Sequence, residues 1–171
     1  MSNKNKKHIK NLTYTSILAA LIFVSTSFLS IPLPIMGYVH LGDGFVFLSA
    51  AILPTPFAIA AAIIGAGAAD LMAGYALYLP ATLLIKALMT LFITSKIEKI
   101  TSAKNLLGAF LASIINALGY YIYEVIIMKS FVAPAASIPL NFAQSLCGFV
   151  VFFVFGKLLE KNKKLLGRND V

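Results

Sequence analysis

Phe57-Ala-Ile-Ala-Ala-Ala-Ile-Ile-Gly-Ala-Gly-Ala-Ala-Asp-Leu-Met-Ala-Gly74 is a run of apolar and small residues interrupted by one ionisable side chain, Asp70. A stretch of this length and hydropathy reads as a membrane-spanning helix, because about 20 apolar residues cross the hydrocarbon core of a bilayer. Pro54-Thr55-Pro56 sets its start. Proline lacks the N–H that a preceding helix would need, yet suits a first helical turn.

The rest of the chain agrees with this reading. It has 171 residues, 60% hydrophobic and 12% charged, and a mean hydropathy of +0.90. A soluble domain carries about 25% charged residues, and one of this size could not bury so much apolar surface. Disordered, collagen-like and disulfide-scaffold classes fall on the same numbers. Outward from Phe57–Gly74, five further apolar runs follow: Leu12–Ile31, Asp43–Leu53, Leu79–Ile97, Asn105–Met128 and Ile138–Leu159. The expected fold is all-α, a polytopic membrane protein with six transmembrane helices in one bundle. Residues 1–171 form one transmembrane domain with basic tails at about 1–10 and 160–171. A cleaved signal peptide is disfavoured, because no small-x-small site follows the first run. Asp43 is a candidate helix cap, and Ile31–Gly42 reads as a loop.

The net charge of +8 would suggest nucleic acid in a soluble protein. Here the lysines flank apolar runs and no nucleic-acid partner is expected. With the N-terminus inside, one side holds Lys4, Lys6, Lys7, Lys10, Lys96, Lys99, Lys104, Lys157, Lys161, Lys163, Lys164 and Arg168. The other side holds Lys129 alone. That asymmetry predicts both termini in the cytoplasm. Cys147 lies within an apolar run and reads as a packing residue.

Several chemistries are missing. There is no phosphate-binding loop of the Gly-x-x-x-x-Gly-Lys-Ser/Thr type, so the chain is no ATPase by itself. No His/Cys set has metal-ligand spacing, and no nucleophile-base-acid set can be argued. No cofactor or catalytic residue is expected.

Asp70, Lys86 and Glu124 are costly inside spans and need a cavity or a partner. Asn116, Tyr120, Tyr123 and Glu124 fall within roughly 100° of helical arc. Asn141, Gln144, Ser145 and Gly148 form a second polar stripe, and Thr82, Lys86 and Thr90 a weaker third. Three such stripes converge on one interior polar site, or serve as interhelical hydrogen bonds. Glu124 and Lys86 can neutralise each other. Asp70 either meets ligand or orders the turn to Tyr78. Tyr75, Tyr78, Tyr120, Tyr121 and Tyr123 form an interfacial belt or hold a planar ligand. Ser16 with Ala20, and Thr15 with Ala19, are small pairs that allow close helix approach.

Gly37-Tyr-Val-His-Leu-Gly-Asp43, Gly65-Ala-Gly-Ala-Ala-Asp-Leu-Met-Ala-Gly-Tyr75, Pro80-Ala-Thr-Leu-Leu-Ile-Lys86, Gly119-Tyr-Tyr-Ile-Tyr-Glu124 and Asn141-Phe-Ala-Gln144 occur in this order. Together they resemble the substrate-binding S components of energy-coupling factor (ECF) vitamin transporters, in the branch for hydroxymethylpyrimidine, pyridoxine-like or riboflavin-like substrates. The resemblance covers about residues 10–157. It implies a multi-pass protein of the bacterial plasma membrane that binds a vitamin or precursor near the outer face, under a lid between the first two spans. It implies a transmembrane coupling protein and two ATP-binding cassette ATPases as partners, and toppling in the membrane to release the vitamin. Docking would use an alanine-xxx-alanine motif, which Ser16-xxx-Ala20 matches with serine in place of the first alanine; Thr15 and Ala19 lie beside it.

The expected binding residues are Glu124, Asn141, Gln144, Tyr120, Tyr123, Lys86, Asn116, Asp70, Tyr78 and His40. Glu124 accepts hydrogen bonds, the amides donate and accept, a tyrosine stacks, and Lys86 meets a ring heteroatom. A hydroxymethylpyrimidine or pyridoxine suits the set. Rival readings are a membrane enzyme acting on lipid or prenyl groups, a riboflavin-binding S component, and a structural membrane protein without a ligand.

Overall fold

A computed structural model describes residues 2–32 and 38–162. The order is α1 (Asn3–Ser27), β1 (Ser30–Pro32), β2 (Tyr38–His40), α2 (Gly42–Ile52), α3 (Thr55–Met72), α4 (Leu79–Thr90), α5 (Ala103–Met128) and α6 (Ser137–Lys161). Short 3-10 turns at Ala76–Tyr78 and Ala133–Ala136 precede α4 and α6. The protein is an all-α membrane protein with one small hairpin.

Among the described residues, four helices are long and apolar enough to cross a membrane: α1, α3, α5 and α6 with the turn before it. The other two are shorter, at 11 residues for α2 and 12 for α4. At 1.5 Å per residue, α2 is only about 16 Å long. Its position explains its length and composition. Residues Gly42 to Ala51 are all buried, and α2 packs against α1, α3, α4 and α6. A helix enclosed on every side needs no amphipathic stripe.

Around α2 run α1, α3, α4, α5 and α6, each against the next. Small residues set the close crossings. Ala58, Ala61, Ala62, Gly65, Ala66 and Ala69 give α3 a smooth buried face. A methyl at Gly65 would lie 2.5 Å from the Ala19 carbonyl oxygen of α1. At the α2–α6 crossing, a methyl on Gly44 would lie 2.7 Å from Gly148 O. The core proper holds Phe47 against Phe152, with ring centroids 6.2 Å apart, plus Ile22, Val46 and Met89. The outer surface is apolar too: Ile64, Leu84, Leu118, Ile122, Ile126 and Val150 are exposed. That distribution suits hydrocarbon rather than water as the surrounding solvent.

Several sequence expectations change. The first helix starts at Asn3 rather than Leu12, so Lys4, Lys6, Lys7 and Lys10 are helical. It stops at Ser27, because Ser30–Pro32 leaves to pair antiparallel with Tyr38–His40, Ser30 opposite His40. Positions 33–37 of the expected lid, and Lys163, Lys164 and Arg168, lie outside the described residues. The fourth helix ends at Thr90, not Ile97. Its end is set by tertiary contact: Phe92 O occupies the space where a Gly108 side chain would begin. The chain crosses α5 there, and Asn105 fastens it by donating to Thr94 O and Ile100 O, both at 3.0 Å. Leu41, not Asp43, occupies the cap position of α2. Cys147 is exposed on the outer face of α6 instead of packed.

Candidate functional site

Asp43 stands in the first turn of α2, directly after the hairpin. Lys86 reaches it from the middle of α4, with Nζ 2.5 Å from Oδ1; the side chains are 1% and 0% exposed. Lys86 also donates to Asn116 Oδ1 on α5 at 2.8 Å, and its ammonium lies 5.5 Å from the centroid of the Tyr120 ring. The other carboxylate oxygen of Asp43 accepts from Gln144 Nε2 and Ser145 Oγ on α6, both at 3.0 Å. Asn116 Nδ2 in turn donates to Asn141 O at 3.4 Å. The Tyr120 hydroxyl shares a 2.9 Å hydrogen bond with Thr82. One buried ion pair therefore ties together α2, α4, α5 and α6, with both Asp43 carboxylate oxygens accepting hydrogen bonds and Lys86 donating to Asp43 and Asn116. Burial of charge is tolerable only under that condition.

His40, at the end of β2, sits on top of this network. Its Nδ1 accepts from the Gly42 N–H at 3.1 Å, which places the ring proton on Nε2 in the neutral form. Burial pushes its pKa down to about 4; Asp43 opposes that and Lys86 adds to it.

A second cluster lies further along the α5 stripe. Tyr78 stacks edge-on with Tyr75 and tilted against Tyr123, both at 6.0 Å between centroids. Tyr123 donates its hydroxyl to Leu77 O, which fastens α5 to the turn before α4. Glu124 is 3% exposed, and its Oε2 is buried without a hydrogen-bond partner. Asp70 is buried at the end of α3, and its backbone carbonyl accepts from Tyr75 N at 2.8 Å. Tyr121 faces away and donates to Phe131 O at 3.2 Å.

The sequence-derived set thus divides in two. Lys86, Asn116, Gln144, Tyr120 and the backbone of Asn141 meet around Asp43, with His40 beside it. Glu124, Tyr123 and Tyr78 gather separately, with Asp70 at the turn leading to Tyr78. Of the alternatives for Lys86, pairing with Glu124 is not what the structure has: its ion pair is with Asp43. Sequence reasoning missed Asp43 as the counter-ion. The available signal was an acid flanked by glycines at the head of an uninterrupted apolar run. On α1, Thr15 and Ala19 are buried against α3, whereas Ser16 and Ala20 face outward. These four, with Phe23, Ile64, Gly65 and Ala68, line a shallow depression of about 350 Å³. Among the described residues no group of His, Cys, Asp and Glu could hold a metal ion.

The family of S components of ECF-type riboflavin transporters matches the chain over residues 6–161. No curated protein matches it.

Proposed function

The chain belongs to the family of ECF-type riboflavin transporter S components, and from that premise we propose that it captures a planar heteroaromatic vitamin of the riboflavin class. As a member of that family it is a transporter subunit, not an enzyme. The observation that carries the site is Glu124: a carboxylate oxygen buried without a partner, beside Tyr123 and on the same stripe as Asn116 and Tyr120. An unpaired buried acceptor is costly, and a ligand N–H or O–H would relieve it with a charge-assisted bond. Tyr78 and Tyr123 offer ring faces beside it. Asp43 and Lys86, already satisfied by each other, hold α2, α4, α5 and α6 together instead of touching ligand. The polar donor set also supports a smaller ligand of the hydroxymethylpyrimidine or pyridoxine type.

The topology proposed is six spans, with the short α2 enclosed by the other helices, α4 beside it in the surrounding ring, and both termini in the cytoplasm. The lysine asymmetry supports it. Energy would come from two ATP-binding cassette ATPases through a coupling protein docked on Ser16 and Ala20.

Native mass spectrometry of the protein purified in mild detergent tests the reading. Riboflavin, hydroxymethylpyrimidine, pyridoxine and pantothenate are offered as a panel. A retained flavin that Glu124→Gln releases supports the proposal. Retention of only pyrimidine or pyridoxine selects the second reading. No retained vitamin overturns both.

A further inference from the structure

Phe131 and Val132 are the most exposed large apolar side chains among the described residues, at 75% and 84%. They lie in the turn between α5 and α6, and the binding residues proposed above include neither. The turn begins at Lys129, whose φ of 51° ends α5 in the left-handed region and reverses the chain. Two such side chains side by side are unfavourable in water. The depth of the turn relative to a bilayer decides what they meet.

The outer face of α5 measures that depth. Lys104, Leu107, Leu111, Leu118, Ile122 and Ile126 fall within about 100° of arc at 100° per residue, and all of them are exposed. From Leu107 to Ile126 the helix rises about 29 Å, against a hydrocarbon core of about 30 Å. Lys104 and Lys129 each stand about one turn beyond these ends, at the depth where lysine side chains reach headgroups. Ile126 therefore marks one edge of the hydrocarbon. Tyr121 lies about 8 Å inside that edge along the helix axis. Its hydroxyl donates to Phe131 O at 3.2 Å, which draws the chain back to the level of the last turn of α5. The backbone suits such a place. Val132 O accepts from Ala135 N at 3.2 Å, and Pro134 O from Ser137 Oγ at 2.8 Å. With Phe131 O, these carbonyls have partners in the protein and need none from water.

We infer that the turn at 129–132 is a membrane anchor, with the Phe131 and Val132 side chains inserted among lipid acyl chains at the hydrocarbon edge and Lys129 at headgroup level. The occupant of this surface is the bilayer, because the turn continues the lipid-facing ridge of α5 at the depth where that ridge ends. In the proposed topology this is the outer leaflet. Tyr123 and Glu124 stand in the last two turns of α5, so the anchor holds the end of the helix that carries them.

The chain has no tryptophan, so Phe131→Trp gives a single reporter, and Val132→Trp replaces it if that variant fails to fold. The full-length protein is placed in phosphatidylcholine bilayers whose acyl chains are brominated either close to the headgroup or close to the methyl end. The expected result is emission shifted to the blue of tryptophan in water, with stronger quenching by the shallow bromines than by the deep ones. A Leu118→Trp reporter, about 12 Å further in than Ile126 on the same ridge, should show the reverse order. Emission at the aqueous wavelength, quenched by iodide and by neither lipid, overturns the proposal, because the turn then lies in water. Blue-shifted emission that neither iodide nor brominated lipid quenches also overturns it, because protein then covers the turn. So does the same deep preference at 131 as at 118, which would place the turn inside the hydrocarbon instead of at its edge.

Discussion

Lys86 Nζ and Asp43 Oδ1 stand 2.5 Å apart where four helices meet, with both side chains almost wholly excluded from solvent. The pair is in sequence terms a contact between the second and fourth helices. In structural terms it is the knot that holds the hairpin-bearing α2 to the bundle. Removing one member leaves an unpaired buried charge, which typically costs 3–5 kcal/mol.

Asp43→Asn and Lys86→Met are each expected to lower the thermal midpoint in detergent strongly. The double variant should regain much of the loss, because it removes both charges together. Additive losses in a double-mutant cycle would show that the two side chains act separately.

Protonation of His40 should loosen the same region. Its folded pKa is about 4 against an ordinary value of 6.5, so the unfolded chain binds the proton more readily. Stability from this group is complete above pH 6.5 and is lost as pH falls towards 4. The difference between pH 7.5 and pH 5 is about 2 kcal/mol by linkage. His40→Gln can keep an acceptor for the Gly42 N–H and should flatten the dependence. An unchanged slope in thermal unfolding of that variant would place the titrating group elsewhere.

Glu124→Gln is expected to weaken vitamin binding by roughly 10- to 100-fold, the value of a hydrogen bond to a charged group. The fold should survive, because glutamine keeps the side chain's size and an oxygen for the hydrogen bond with Ser137, and Oε2 has no partner to lose. Isothermal titration checks the affinity, and an unaltered constant would remove Glu124 from the site.

Gly44→Ala should destabilise by about 1–3 kcal/mol, since its methyl would press on Gly148 O and Val151. Gly74→Ala, where nothing lies within 4 Å but φ is +79°, tests backbone strain instead of packing. A smaller loss in melting temperature is expected there.

Ser16→Trp, on the outward face of α1, should prevent assembly with the coupling protein while leaving vitamin affinity intact. Co-purification of the full transporter with this variant would take the α1 face out of the docking surface.

Much of this architecture is legible in the residue order. Apolar runs bounded by Pro54, Pro56 and Pro80 locate helix starts, because proline acts through local geometry alone. The polar stripe Asn116-Tyr120-Tyr123-Glu124 is equally local, since helical spacing fixes which residues share a face. The end of α4 is not local. Nothing between Thr90 and Ile97 breaks a helix, and the chain turns because Gly108 of α5 leaves room for Phe92 to cross. The partner of Lys86 was hidden for the same reason. Three carboxylates lay near spans, and only packing decides that Asp43 lies closest. The start of α1 was masked by its lysines, which are good helix formers despite being polar.

The ion-pair network also bears on how the protein is made. Its members arrive in a fixed order during synthesis: the carboxylate of Asp43 first, the ammonium of Lys86 next, then Asn116, and the Gln144 and Ser145 donors last. Until the final helix joins, a charged group deep in the nascent bundle lacks part of its complement of partners. A chain that stops short of the last helix therefore carries a buried carboxylate lacking two of its hydrogen-bond donors, so the final span completes the interior as well as the surface.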